Sequence, residues 1–133
     1  LKGNESTDGL KDVAALDLKP IYYDFNKSNI RSDAAEILKQ NIAILKANPD
    51  VVIKLSAHTD SRGSAAYNIN LSQRRAQAAV DFLVENGIPR KQIVAVISLG
   101  EKELVNTCGD GVECTEEQHQ LNRRTEFKVI GKK

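Results

Sequence analysis

The sequence predicts an α/β fold of the α+β kind: a two-layer sandwich in βαβαββ order, with a four-stranded mixed sheet and its helices on one face. Three observations point there. Two long segments of helical period alternate with short apolar runs of period two. Each helical segment ends on a stop signal, Asn48-Pro49-Asp50 in one case and Gly87 followed by Pro89 in the other. The last two strand-like runs are separated only by a polar insertion. Strands joined through a helix run parallel by right-handed crossovers.

Each element has a local reason. Pro20 opens a strand in which Ile21, Tyr23 and Phe25 alternate with Tyr22 and Asp24, so one of the adjacent tyrosines points inward and the other outward. A turn over Asn26 to Asn29 follows. A helix is expected from Ser32 to Ala47, with Ala34, Ile37, Leu38, Ile42, Ile44 and Leu45 on its apolar side and Asp33 with Glu36 as a capping box. Val51 to Ala57 reads as a strand, His58 to Ala66 as a loop, and Tyr67 to Asn86 as a second helix with Gly87 as its left-handed cap. Ile93 to Leu99 is the third strand. A polar insertion, Gly100 to Gln120, has room for a short helix. Thr125 to Ile130 is the last strand, with Thr125, Phe127 and Val129 on one face.

The 133 residues suit one compact domain plus a tail, read as a linker or N-terminal extension over residues 1–18 and a folded domain over 19–133. Hydrophobic residues make up 41% and aromatics 5%, with no Trp or Met, so the core must be Ile, Leu, Val and Ala. Nineteen basic against 18 acidic residues leave a net charge of +1, which argues against a nucleic-acid backbone binder. No apolar run approaches the roughly 20 residues that span a bilayer. The chain opens on Leu1 without a signal peptide and is read as a fragment of a larger protein, so targeting is left open.

The chemistry should lie in His58-Thr59-Asp60-Ser61-Arg62-Gly63, then Asn68, then Leu71-Ser72-Gln73-Arg74-Arg75-Ala76. This stretch begins where a strand ends, and open α/β sheets bind ligands beyond the carboxyl ends of their strands. Helical offsets separate the two arginines. Arg75 shares a face with Asn68, Leu71, Ala78, Ala79 and Phe82, whereas Arg74 lines up with Gln77 and Asp81 and faces solvent. A cation on the apolar side needs a partner, and Asp60 is the candidate. Two readings stay open on pattern alone. Asp60 and Arg75 form an internal salt bridge that fixes the loop, or they converge on a zwitterionic ligand, Asp taking its ammonium and the Arg fork its carboxylate.

The segment HTDSRGSAAYNINLSQRRAQAAVDFLVENGI resembles the signature of the OmpA C-terminal-like domain family, which includes the peptidoglycan-associated lipoprotein and flagellar motor anchoring proteins. Its pattern maps onto His58, Thr59, Asp60, Gly63, Asn68, Leu71, Ser72, Arg75 and Ala76. The run Tyr22 to Ser28 resembles the family's first strand, and Asn122-Arg123-Arg124 its approach to the last strand. The resemblance implies the same βαβαββ sandwich and a ligand, the diaminopimelate of the peptidoglycan stem peptide. It implies ligand-binding roles for Asp60, Arg75 and Asn68, with Asp24, Thr59, Ser61, Arg62, Asn122, Arg123 and Arg124 lining the pocket. It further implies a periplasmic domain that holds an outer-membrane or envelope protein to the cell wall, with no catalysis, cofactor or metal. The insertion Thr107 to Gln120 is longer than in the simplest members and resembles versions in Bacteroidetes-type envelope proteins. The alternative is an interaction or assembly module that kept the fold and lost the wall ligand.

Cys108 and Cys114 could form a disulfide, or join His119 in a metal site with His58 as a distant ligand. The spacing matches no common zinc motif, and the periplasm implied by the resemblance favours the disulfide. Asp110, Glu113, Glu116 and Glu117 lack calcium-loop spacing and read as a solvated acidic loop. His58 lies two positions from Asp60, but no nucleophile motif accompanies it. It is expected to hydrogen-bond the loop at the strand end, and Ser72 to bond backbone near the helix start.

Overall fold

A computed structural model describes residues 16–132. Along the chain come β1 (Ile21–Tyr22), α1 (Ser32–Ala47), β2 (Val51–His58), α2 (Ala65–Glu85), a 3-10 turn (Arg90–Gln92), β3 (Ile93–Gly100), α3 (Glu116–Gln120) and β4 (Arg124–Lys132). The sheet order is β1-β4-β2-β3. β2 and β3 run parallel, and β4 is antiparallel to both of its neighbours. The last strand therefore sits inside the sheet, with Thr125 paired to Ile21 of β1 on one side and Phe127 to Leu55 of β2 on the other.

The period-two pattern of β2 sorts its faces. Val51, Ile53, Leu55 and Ala57 are buried, while Val52, Lys54 and Ser56 are half-buried. The buried set meets Ala34, Leu38, Ile42 and Leu45 of α1 and Ala79, Val80 and Leu83 of α2, with Ile21, Tyr23 and Phe127 closing the core. Each such Leu or Ile stabilises the fold by about 1.5–3 kcal/mol relative to an exposed one. Leu16 and Leu18 pack on the same core, so this part of the expected linker lies against the domain. Residues 1–15 of that expected segment lie outside the described residues.

Three local expectations are corrected. The first strand ends at Tyr22; Tyr23 is buried beyond it, and Phe25 is exposed in a turn where Asn26 takes φ 62°. The capping box at Asp33 and Glu36 does not form. Arg31 occupies the N-cap without a side-chain bond, Asp33 pairs with the Arg31 guanidinium, and Glu36 reaches Lys39 instead. The second helix starts two residues early because Ser64 caps it, accepting from the Tyr67 N–H at 3.1 Å.

At the other end of α2 the chain closes as its glycine predicts. Gly87, at φ 99°, donates to the Val84 carbonyl, and Ile88 donates to that of Leu83. Ser72 reaches further than the helix start. It donates to the Ile69 carbonyl and accepts the Gly100 N–H at 3.1 Å, pinning the end of β3 to α2. Cys108 and Cys114 are bonded, which closes a ring in the insertion.

Candidate functional site

The C-terminal end of β2, the loop before α2 and the turn after β1 meet at a cleft of about 150 Å³. Asp60 stands two residues past the end of β2 and is 3% exposed. The Thr59 N–H donates to the Gly100 carbonyl at 2.8 Å, which holds this segment against the end of β3. Gly63 turns the loop with φ 100°, and a Cβ there would meet Asn68 Oδ1 at 3.3 Å. Asn68, buried on the first turn of α2, points its Nδ2 at the Asp60 carbonyl and at Glu101 Oε1.

Arg75 is fully buried and enters from below, as its helical face predicts. Its partner is not Asp60. Nε donates to the Lys27 carbonyl at 2.8 Å, Nη1 to that of His58 at 3.0 Å, and Nη2 to that of Asp24 at 3.1 Å. The internal Asp60–Arg75 salt bridge is thus corrected. Carbonyls projecting from the end of β2 and the turn after β1 satisfy the cation, and three bonds use three of the five guanidinium N–H groups. Burial pulls the Arg75 guanidinium down to about 10; the Tyr23 charge opposes this and the Arg123 charge adds to it. Tyr23 lies with its ring 5.0 Å from this guanidinium and bonds the Arg75 carbonyl and Thr125 Oγ1, and burial raises its phenol to about 12.

Asp60 belongs to a ring of alternating charge. Its Oδ2 accepts from Arg62 at 2.8 Å and Arg123 at 3.2 Å, and both arginines also reach Glu116, at 3.2 and 2.8 Å. Burial alone would raise the Asp60 carboxyl; the bonds from the Arg62 side chain and backbone and from Arg123 outweigh it and hold it below the ordinary carboxylate range. Glu116 is likewise held low, burial being outweighed by Arg123.

The cleft gathers Asp60, Arg75, Asn68, Thr59, Arg62 and Arg123 of the expected residues. It does not gather the other four. The Asp24 carboxylate pairs with Arg31, and only its carbonyl serves Arg75. Ser61 bonds the Cys108 carbonyl and lines a neighbouring groove. Asn122 bonds Val105 and Asn106, and Arg124 bonds Glu126 and the Glu103 carbonyl. Phe25, Asn26 and Tyr67 line the cleft without having been singled out. Phe25 was hidden by its alternation with Ile21 and Tyr23, which read as a core-facing strand position, and Tyr67 by its place at the start of a helix.

His58 is corrected as well. It is 1% exposed, yet neither ring nitrogen has a hydrogen-bond partner among the described residues. Burial, with Arg124 nearby, lowers its imidazole to about 4 against the opposing pull of Glu126 and Glu103, so it is neutral near pH 7.

Fold and site together define a class of protein: a small α/β sandwich that presents a buried acid and a buried arginine in one cleft at its strand ends. The chain belongs to the OmpA family, which matches residues 22–117. Over 90 residues it is 36% identical to a peptidoglycan-associated lipoprotein of Agrobacterium fabrum, covering 68% of this chain and 50% of that one. The chain spans about half the length of the curated relatives it matches. Its fold is that of the peptidoglycan-associated lipoprotein from Burkholderia pseudomallei, with a TM-score of 0.71 at 24% identity over 84% of this chain and 90% of that one. The C-terminal domain of Helicobacter pylori MotB is similar, at 0.73 and 16% over 86% of each.

Proposed function

We propose that this domain binds peptidoglycan through the diaminopimelate of its stem peptide and so anchors an outer-membrane or envelope protein to the cell wall from the periplasm. The observation that carries this reading is the placement of Asp60 and Arg75, buried groups of opposite charge, in the walls of one cleft. A zwitterionic amino-acid end offers an ammonium to Asp60 and a carboxylate to the two Arg75 N–H groups not engaged by carbonyls. Arg123, paired with Asp60, adds positive potential for the carboxylate. Kinship with peptidoglycan-associated lipoproteins supports the wall as the source of that ligand. The role is binding rather than catalysis: His58, the residue that invites an acid–base reading, is sealed in the sheet end and neutral.

The test is calorimetry with matched muropeptides. A lysine stem has the amine but lacks the carboxylate beside it, which leaves the arginine side of the cleft unmatched. Loss of one buried charged partner costs about 2–5 kcal/mol, or roughly 30-fold or more in affinity. Diaminopimelate muropeptide should therefore bind at least that much more tightly than its lysine counterpart. Equal affinities would remove Arg75 from recognition.

A further inference from the structure

The Asp60 carboxylate is already occupied. One oxygen accepts the Arg62 backbone N–H at 3.0 Å, and the other accepts Arg62 Nη2 at 2.8 Å and Arg123 Nη1 at 3.2 Å. An ammonium arriving in the cleft meets an oxygen taken twice. The two arginines holding it are not alike. Arg123 has a side chain 4% exposed and also donates to the Tyr23 carbonyl, so it is built into the floor. The Arg62 side chain is 35% exposed, and its Nε has no partner among the described residues. Its guanidinium lies 4.1 Å from the ring of Phe25, itself half exposed, and its Nη1 already touches Glu116 at 3.2 Å.

The space around Arg62 matters as much as its bonds. The cleft over Asp60 and Arg75 holds about 150 Å³, below the roughly 300–1,000 Å³ typical of small-molecule sites. Beside it runs a groove of about 760 Å³, walled by the disulfide ring, Glu116 and His119. Among the described residues, Arg62 alone lines both.

We propose that Arg62 is a displaceable internal occupant of the Asp60 site: a ligand ammonium binds by exchanging for its guanidinium, which swings wholly onto Glu116 and opens the cleft into the groove. The proposal rests on the ammonium-binding reading of the cleft. Exchange explains why Arg62 rests one guanidinium nitrogen on Asp60 and the other on Glu116, since the second carboxylate keeps the released charge paired. It also gives the groove a use. Once the partition moves, a stem peptide whose amino-acid end sits on Asp60 extends along the disulfide ring. Closed molecules do not bind, so the apparent dissociation constant exceeds the intrinsic one by the inverse of the open fraction.

Removing the occupant should then strengthen binding, the reverse of what loss of a ligand contact does. The experiment is calorimetric titration of the 133-residue chain with a diaminopimelate-containing muropeptide at physiological salt. Arg62→Ala is expected to bind about three- to tenfold more tightly than wild type. Arg62→Lys, which keeps the charge without the fork, should fall between them. Arg90→Gln, at the far end of β3, removes the same charge and should bind as wild type does. Arg62→Gln, which keeps a stem against Phe25, serves if circular dichroism shows that the alanine variant has not folded. Wild-type binding with no gain in any folded Arg62 variant overturns the exchange and leaves Arg62 a contact or a bystander. An equal gain in Arg90→Gln also overturns it, as a long-range charge effect. Failure of wild type and every folded Arg62 variant to bind overturns the ammonium reading itself.

Discussion

At the scale of single residues, Arg75 is both staple and candidate ligand group. Its three carbonyl partners come from the end of β2 and the turn after β1, so truncation strands a buried acceptor at His58 and unties the turn that carries Asp24 and Lys27. Arg75→Ala should cost about 3 kcal/mol or more of stability in urea unfolding, while Arg74→Ala, on the exposed face, should stay within about 0.5 kcal/mol. Comparable losses would mean that the carbonyl bonds contribute little. Binding is therefore better probed with Asp60→Asn, which leaves those carbonyls paired. The helical offsets of the sequence place Arg75 on the inner face, but they cannot identify its partners. Backbone carbonyls leave no trace in side-chain spacing, and Asp60, the acid of the loop before the helix, was the candidate that side chains offered. His58 supplies a second prediction. Its folded value of about 4 lies below the ordinary 6.5, so the unfolded chain binds the extra proton. Its contribution is whole above about pH 6.5 and is lost as pH falls toward 4, amounting to about 2–3 kcal/mol by pH 4.5. The depressed Asp60 carboxyl acts only lower, as pH falls below the ordinary carboxylate value. His58→Gln should flatten the decline between pH 6.5 and 4.5 in denaturant titrations. An unchanged slope would assign it to other groups.

At the scale of elements, the disulfide ring is the testable piece. Ser61 donates to the Cys108 carbonyl at 2.6 Å, so the ring is moored to the loop that carries Asp60. Intact mass under non-reducing conditions should fall two hydrogens short of the dithiol. Reduction should lower stability by about 2 kcal/mol on the loop-entropy estimate, without unfolding the sandwich. Full alkylation of both cysteines in oxidised protein would contradict the bond. The long elements were legible in the sequence because their periodicities are strong: α1 has the bounds that its pattern implies, and β2, β3 and α2 differ from theirs by one or two residues. Caps were less legible. Asp33 had the spacing of a capping box, but the helix starts one residue earlier, and its carboxylate takes the Arg31 guanidinium and the Ala34 N–H, the Arg31 bond most of all drawing it down to about 2. The capping box that does form, Thr115 with Gln118, lies in the polar insertion, where no apolar run flagged a helix. The Asp60–Arg62–Glu116–Arg123 ring was illegible for a related reason. It joins segments more than fifty residues apart, and only the fold brings α3 over the β2 loop.

At the scale of the whole molecule, the helix-linked order was readable, and so was a mixed sheet. The position of β4 was not, because alternation marks a strand without naming its neighbours. β4 lies between β1 and β2, and its Phe127 and Thr125 face the same interior as Tyr23 and Leu55. Deleting residues 124–132 should therefore abolish cooperative unfolding altogether, where loss of an edge strand would only weaken it; a sigmoidal melt in the truncated chain would contradict this. The same insertion sets the order of events during synthesis. β1 has no sheet partner, and β2 lacks one of its two, until residues 124–132 have cleared the ribosome. The nascent domain thus cannot complete its sheet early, because the pairing of β1 with β4 joins residues about a hundred positions apart, Ile21 with Thr125. A topology of such high contact order folds late and slowly compared with a helical bundle of equal length. A sheet that waits for β4 leaves the nascent domain open, and so threadable, until that strand arrives.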